Sequence, residues 1–405
     1  MNAGRRSFLL GLGSFGAACL LHQLRSARVS ARKINYYLDN KDNKNKGEKS
    51  LRQIAASKGI MYGGFHQRSP NDFDRDAKFQ RTFLNDYGLI IGGFFGVTVG
   101  PFGNNNYNFS EIDPIFNFAR ENNLAFRGHP MLWTQFNSDW VVQKFKSSST
   151  TSAEINKIMI DHVSTLGKKY AGNVNSWDVV NEVINVEDGR ADGLRDTTVS
   201  GVHGEKFPTW LNFLGVDYIK RAFEIAHQAD PNAKLVLNEM SLTYSDSSNN
   251  SYWEQRRHAL LNLLTKLKSE GTPIHALGIQ SHLLARFNNR FDGNKFRQFL
   301  KEVGDMGLEI IISELDVSDV ELPKNIQARD RLIAEAYYEY LSVVLDEPAV
   351  KTVINWGLSD RYTWLSGFAP RKDGAEVRPL LRDRQYNKKP AWKAVARAIN
   401  EAPKR

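Results

Sequence analysis

The stretch SWDVVNEVIN, residues 176–185, carries Asp178 and Glu182 around a short apolar run, with Asn181 directly before the glutamate. Such a run, bounded by polar residues, reads as a buried strand. A carboxylate at the mouth of a buried strand is costly unless it is paired or used. Seven further runs have the same character, and together they give eight expected strands: Ile60–Phe65, Leu89–Phe95, Leu124–Gly128, Ser176–Val180, Lys234–Leu237, Ala276–Gln280, Glu309–Ser313 and Thr352–Trp356.

The segments between them have helical periodicity. EIDPIFNFAREN sets Ile112, Phe116 and Ala119 on one face, VDYIKRAFEIAHQAD does so with Tyr218, Ala222, Phe223 and Ala226, and RDRLIAEAYYEYLSVVL is a third case. Short buried strands alternating with helices imply parallel βαβ units. Eight of them predict an α/β fold, a (β/α)8 TIM barrel forming a single catalytic domain over residues 51–405. YGGF and IGGFFG are not GxGxxG phosphate turns, which argues against a doubly wound dinucleotide fold.

The chain has 405 residues, 41% of them hydrophobic, and a formal charge of +9. Without Arg5, Arg6, Arg25 and Arg28, the charges of the first 31 residues, the balance is 50 bases against 45 acids. That surplus has no basic runs interleaved with aromatics, so nucleic acid is not the expected partner.

The run GRRSFLLGLGSFGAACLL is too short to span a membrane and reads as an export signal over residues 1–31. Its arginine pair resembles the twin-arginine signal, and Val29-Ser30-Ala31 supplies small residues for cleavage. The expected location is periplasmic or extracellular in a bacterium, without a membrane association in the mature form. Residues 32–50 read as a polar lead-in. Cys19 is the only cysteine, so no disulfide framework is expected after cleavage. The histidines are dispersed, so no metal site and no cofactor are expected, and the mature chain is expected to be a monomer.

In a barrel of this kind, chemistry sits where the strands end. Glu182 follows the fourth strand and Glu314 ends the seventh, in LEIIISELDV, so the two can face each other across the mouth. Each taken alone reads first as a salt-bridged strand terminus; the two together reverse that and suit glycoside hydrolysis by two carboxyls.

The motifs RGHPMLW (127–133), WDVVNE (177–182), GIQSHL (278–283), ISELDV (312–317) and NWGLSDRYTWL (355–365) resemble, as a set, glycoside hydrolase family 10, the retaining β-1,4-xylanases. The similarity runs from about Ser50 to Ala398, and RPLLRDRQYNKKPAW (378–392) resembles the family's closing segment. The resemblance implies a retaining endo-β-glycosidase acting on xylan or a related β-linked polysaccharide. It implies Glu182 as acid/base and Glu314 as nucleophile, with His282 and Asp316 supporting the nucleophile. It further implies that Asn181 meets the sugar 2-hydroxyl, that Gln280 contacts Glu182 or the sugar, and that His129 and Trp133 line the subsite wall. Trp356 and Trp364 are then the aromatic platform under a pyranose ring.

The resemblance breaks at the second strand. The family's Glu-Asn-x-x-Lys group falls on Gly92, Gly93 and Gly96, and residues 88–103 contain no charged residue. Either Phe94 and Phe95 replace polar grip by stacking, or the glycines open space for a larger or branched sugar. Thr134 and LNEM (237–240) also depart from the common pattern. A carbohydrate-binding barrel without turnover is the reading from another class, and a transglycosylase or exopolysaccharide hydrolase is a third.

Overall fold

A parallel strand buried on both faces needs apolar side chains in both directions, and the expected segments outside the third and fourth largely meet that need. In the computed structural model, residues 48–66, 76–195, 207–245, 251–285 and 290–405 are described. The expected export signal and most of the lead-in lie outside them. The strands are β1 (Met61–Phe65), β2 (Leu89–Gly93), β3 (Ala125–His129), β4 (Ser176–Asn181), β5 (Lys234–Glu239), β6 (Ala276–Ile279), β7 (Glu309–Ser318) and β8 (Val350–Asn355). Each pairs in parallel with the next, and β8 pairs with β1 to close the ring.

A helix follows every strand. These are α1 (Ala77–Asp86), α2 (Asp113–Glu121), α3 (Ser152–Lys169), α4 (Tyr218–Ala229), α5 (Tyr252–Ser269), α6 (Gly293–Asp305), α7 (Ile326–Val344) and α8 (Pro390–Glu401). Side-chain caps fix several starts: Asp76 accepts from Phe79 N–H, Thr151 from Glu154, Ser251 from Glu254, Asp292 from Lys295 and Asn325 from Ala328. Tyr218, Ala222, Phe223 and Ala226 are buried on α4, as its periodicity predicts.

The inside of the ring is divided. Leu89, Ile91, Val236, Ala276, Ile311 and Ile354 fill it from β2, β5, β6, β7 and β8, with Phe65 and Trp356 in the same cluster. The β3–β4 sector is polar instead. Arg127 and His129 alternate along β3 with Gly128, and Ser176 and Asp178 alternate along β4 with Trp177. Gly128 faces the Trp177 ring so closely that a Cβ there would lie 2.0 Å from Cζ3.

Most strand bounds shift by one or two residues, and two of the shifts have a visible cause. β2 stops at Gly93 because Phe94 turns left-handed, with φ 62°. β7 runs past Glu314 to Ser318, because the chain after β6 returns as a short strand, His282–Leu284, beside Asp316–Ser318. Ser281, at φ 60°, makes that turn possible.

Gly128→Ala has no space to enter, since Trp177 is fully buried. It is expected to cost about 3 kcal/mol by overpacking, read as a lower urea midpoint; an unchanged midpoint contradicts this packing.

Candidate active site

Glu182 follows β4 with φ 57°, a backbone state that costs a side-chain-bearing residue about 1–3 kcal/mol. Its N–H donates to the Asn238 carbonyl at 3.0 Å, and its own carbonyl accepts from Arg195 Nε at 2.7 Å. The next turn is tied to a buried ion pair: Glu239 accepts from Ile184 N–H and pairs with Arg256 at 2.6 Å. These clamps hold the unfavourable turn, and the Glu182 carboxylate reaches the mouth. There Oε1 accepts from Gln280 Nε2 at 2.9 Å and Oε2 from Trp133 Nε1 at 3.1 Å.

Glu314 projects from β7 into the same space. Its Oε1 accepts from Asn238 Nδ2 at 2.8 Å, and its Oε2 lies 3.1 Å from His282 Nε2. Behind His282, Nδ1 lies 2.9 Å from Asp316 Oδ1, and the other Asp316 oxygen accepts from Trp364 Nε1 at 2.7 Å. Glu182 is 6% exposed and Glu314 4%, so both carboxyls depend on these partners rather than on water.

Amides join the two acids. Asn238 Nδ2 also donates to Asn181 Oδ1 at 2.8 Å, and Gln280 Nε2 lies 3.5 Å from that oxygen. Ser313 donates its hydroxyl to Asn238 Oδ1, which fixes the sense of the chain. Asn181 Nδ2 is thereby left buried without a partner among the described residues. An unpaired buried donor beside two carboxylates is suited to a hydroxyl of a bound molecule.

Asp178, the other acid of the opening stretch, is spent inside the ring. It pairs with Arg127 and lies 2.9 Å from His129 Nδ1. His129 Nε2 in turn lies 4.0 Å from Glu314 Oε1. Burial opposes ionisation of Glu314, but the His129 and His282 rings and the Asn238 amide outweigh it and hold its carboxyl below the ordinary glutamate value. Burial also works against a charged His282; the Asp316 and Glu314 carboxylates reverse that and raise it to about 10. A protonated His282 donates from both ring nitrogens, one to each carboxylate.

The structure brings Asn181, Glu182, Gln280, His282, Glu314, Asp316, His129, Trp133 and Trp364 together as the sequence predicts. Trp356 differs. It is 4% exposed, and Phe65 stacks on it with ring centres 4.4 Å apart, so it is not an open platform. The glycines of the second strand open no space either. A Cβ on Gly92 would lie 2.4 Å from Phe126 Cζ, on Gly93 3.3 Å from Phe65 Cε2, and on Gly96 2.8 Å from the Phe136 carbonyl. Of the two phenylalanines, Phe95 is fully buried against Trp177, and only Phe94 reaches the mouth. Asn238 escapes a reading of LNEM as a mere departure; its place next to last in β5, level with Asn181, is the signal that marks it.

The sequence profile of glycosyl hydrolase family 10 matches residues 51–398. Endo-1,4-beta-xylanase B of Thermotoga neapolitana is 28% identical over 73% of this chain and 76% of its own length. Endo-1,4-beta-xylanase C of Paenibacillus barcinonensis is 32% identical over 86% of this chain, which spans only 32% of that longer protein. Among solved structures, xylanase 10B of Thermotoga petrophila RKU-1 in complex with xylobiose superposes with a TM-score of 0.74 at 25% identity, covering 88% of this chain and 99% of that one. Xylanase 10B of Thermotoga maritima gives 0.73 at 26% identity, covering 87% and 98%.

His282 gains its anionic partners on folding, so its contribution to stability is complete below its ordinary value of 6.5 and is lost as pH rises through about 10. The melting-temperature gap between wild type and His282→Gln is expected to be widest below pH 6.5 and to close by about pH 10. A gap that widens toward alkaline pH contradicts the assignment.

Proposed function

This chain belongs to glycosyl hydrolase family 10, and on that footing we propose that it is a retaining endo-β-glycosidase cleaving xylan or a related β-linked polysaccharide. The observation that carries the reading is the pair Glu182 and Glu314, buried at one mouth and joined through Gln280, Asn181 and Asn238. Names among the relatives, endo-1,4-beta-xylanases for the most part, support xylan as the first substrate to try.

The chemistry follows from which partners each acid keeps. Glu314, held ionised by His282 and Asn238, attacks the anomeric carbon and forms a glycosyl ester. Glu182 gives a proton to the departing glycosidic oxygen, which leaves as an alcohol. Water then attacks the anomeric carbon of this ester while Glu182 takes its proton, the bond to Glu314 breaks and the carboxylate leaves, so two displacements at one carbon restore the starting configuration. Trp133 and Gln280 aim the Glu182 oxygens throughout. The free Asn181 Nδ2 is suited to the 2-hydroxyl of the reacting sugar, a contact that tightens in the transition state. Export is supported by the Arg5-Arg6 segment alone.

Release of reducing sugar from a panel of β-glycans by wild type, Glu314→Ala and Glu182→Ala tests the reading. Glu314→Ala is expected to lose about 10⁴-fold or more. Glu182→Ala is expected to lose about 10²–10⁴-fold on the polysaccharide and far less on a nitrophenyl glycoside, whose leaving group needs no proton. Wild-type binding without turnover, or equal rates in all three proteins, contradicts it.

A further inference from the structure

β2 contributes no polar side chain to the mouth. Its residues are Leu89, Ile90, Ile91, Gly92 and Gly93, and the hydroxyl of Thr98 beyond it is committed to the Phe94 carbonyl at 3.0 Å. Among the described residues, the ring of Phe94 stands there instead. Phe94 is half-buried, and its ring centre lies 6.2 Å from Trp133, nearly parallel to it. It meets His129 at 6.0 Å, Phe65 at 5.9 Å and Trp356 at 6.5 Å, edge-on in each case.

Its backbone is bent to put it there. φ of 62° is unfavourable for a bulky residue, and the Phe94 carbonyl is held in that turn by the N–H groups of Val97 and Thr98, both at 2.9 Å. Phe65 fills the place a Gly93 side chain would take, so the ring is backed by packing and cannot fold down into the barrel. Glu182 backs onto β5 and the Glu239–Arg256 pair, so the leaving group, which must meet its proton, departs over β4 and β5. The glycone is left to the β2 side of Trp133.

We propose that Phe94 is the specificity-determining residue of this glycone side, holding the sugar unit next to the reacting one by its apolar face. A subsite built to hydrogen-bond a hydroxyl rejects an analogue that lacks it by large factors, whereas an apolar wall discriminates weakly between variants of one shape. This subsite therefore accepts a glycone unit that lacks a ring hydroxyl nearly as well as the complete sugar. The substrate class it points to is a β-1,4-linked polysaccharide whose glycone is taken by ring shape rather than by its hydroxyls. The inference rests on the hydrolase reading of Glu182 and Glu314.

The test uses nitrophenyl β-1,4-xylobioside with its non-reducing unit either complete or deoxygenated at position 3. Wild type is expected to hydrolyse the two with kcat/KM within about 10-fold of each other. Phe94→Gly, which removes the ring and relieves the left-handed backbone, is expected to keep the melting temperature and lower kcat/KM on both by about 10-fold. Phe94→Tyr, which keeps the ring, is expected to restore both. Rejection of the deoxygenated compound by about 100-fold or more, or full activity in Phe94→Gly, overturns the proposal and leaves the hydrolase reading intact. Failure of wild type to hydrolyse either compound, with no binding of either to Glu314→Gln by calorimetry, overturns both.

Discussion

Two carboxylates share one dry mouth, and neither can remain there without fixed donors. Removing one partner from a buried, paired charge costs about 3–5 kcal/mol, because the charge stays behind. The site is accordingly built as a closed set. Glu182 sits between Trp133 and Gln280, Glu314 between Asn238 and His282, and Asn181 links the two halves. The rest of the barrel serves that set. Arg127 and Asp178 are buried in the β3–β4 sector, where they hold His129 against Glu314, while the other strands fill the ring with apolar side chains. A strained turn at Glu182 is tolerated because Asn238, Arg195 and the Glu239–Arg256 pair over-determine it.

How much of this was legible in the chain depends on the range of the interaction. The eight strands follow from local apolar runs, and Glu182 and Glu314 follow from standing where such runs end. Whatever depends on a distant partner does not. β7 extends to Ser318 only because His282–Leu284 returns beside it, and no pattern within residues 309–318 announces that partner. The covering of Trp356 is decided by Phe65, nearly three hundred positions earlier on the neighbouring β1. Glycines at 92, 93 and 96 read as empty space in a sequence; in three dimensions Phe126, Phe65 and the Phe136 carbonyl have already taken it.

The reacting centre and its surroundings have therefore diverged to different degrees. Trp133, Gln280, His129 and His282, which face Glu182 or Glu314, fit the family resemblance, while the β2 side has exchanged polar side chains for a ring held in a costly backbone state. Binding energy gathered away from the cut is what drives distortion at the reacting sugar. An apolar wall supplies that energy through shape and contact area rather than through counted hydroxyls. The catalytic set can stay as it is while the range of acceptable sugars changes, because Phe94 meets Trp133, His129 and Trp356 rather than either glutamate.

The central claim is that Glu314 forms a bond to the sugar. The direct measurement is mass spectrometry of the protein after incubation with a 2-deoxy-2-fluoro xylobioside bearing a good leaving group, followed by peptide mapping. The account predicts one added glycosyl unit, on the peptide containing Glu314 and on that carboxylate. An unlabelled protein that still hydrolyses the parent glycoside, or a label on another residue, would contradict it.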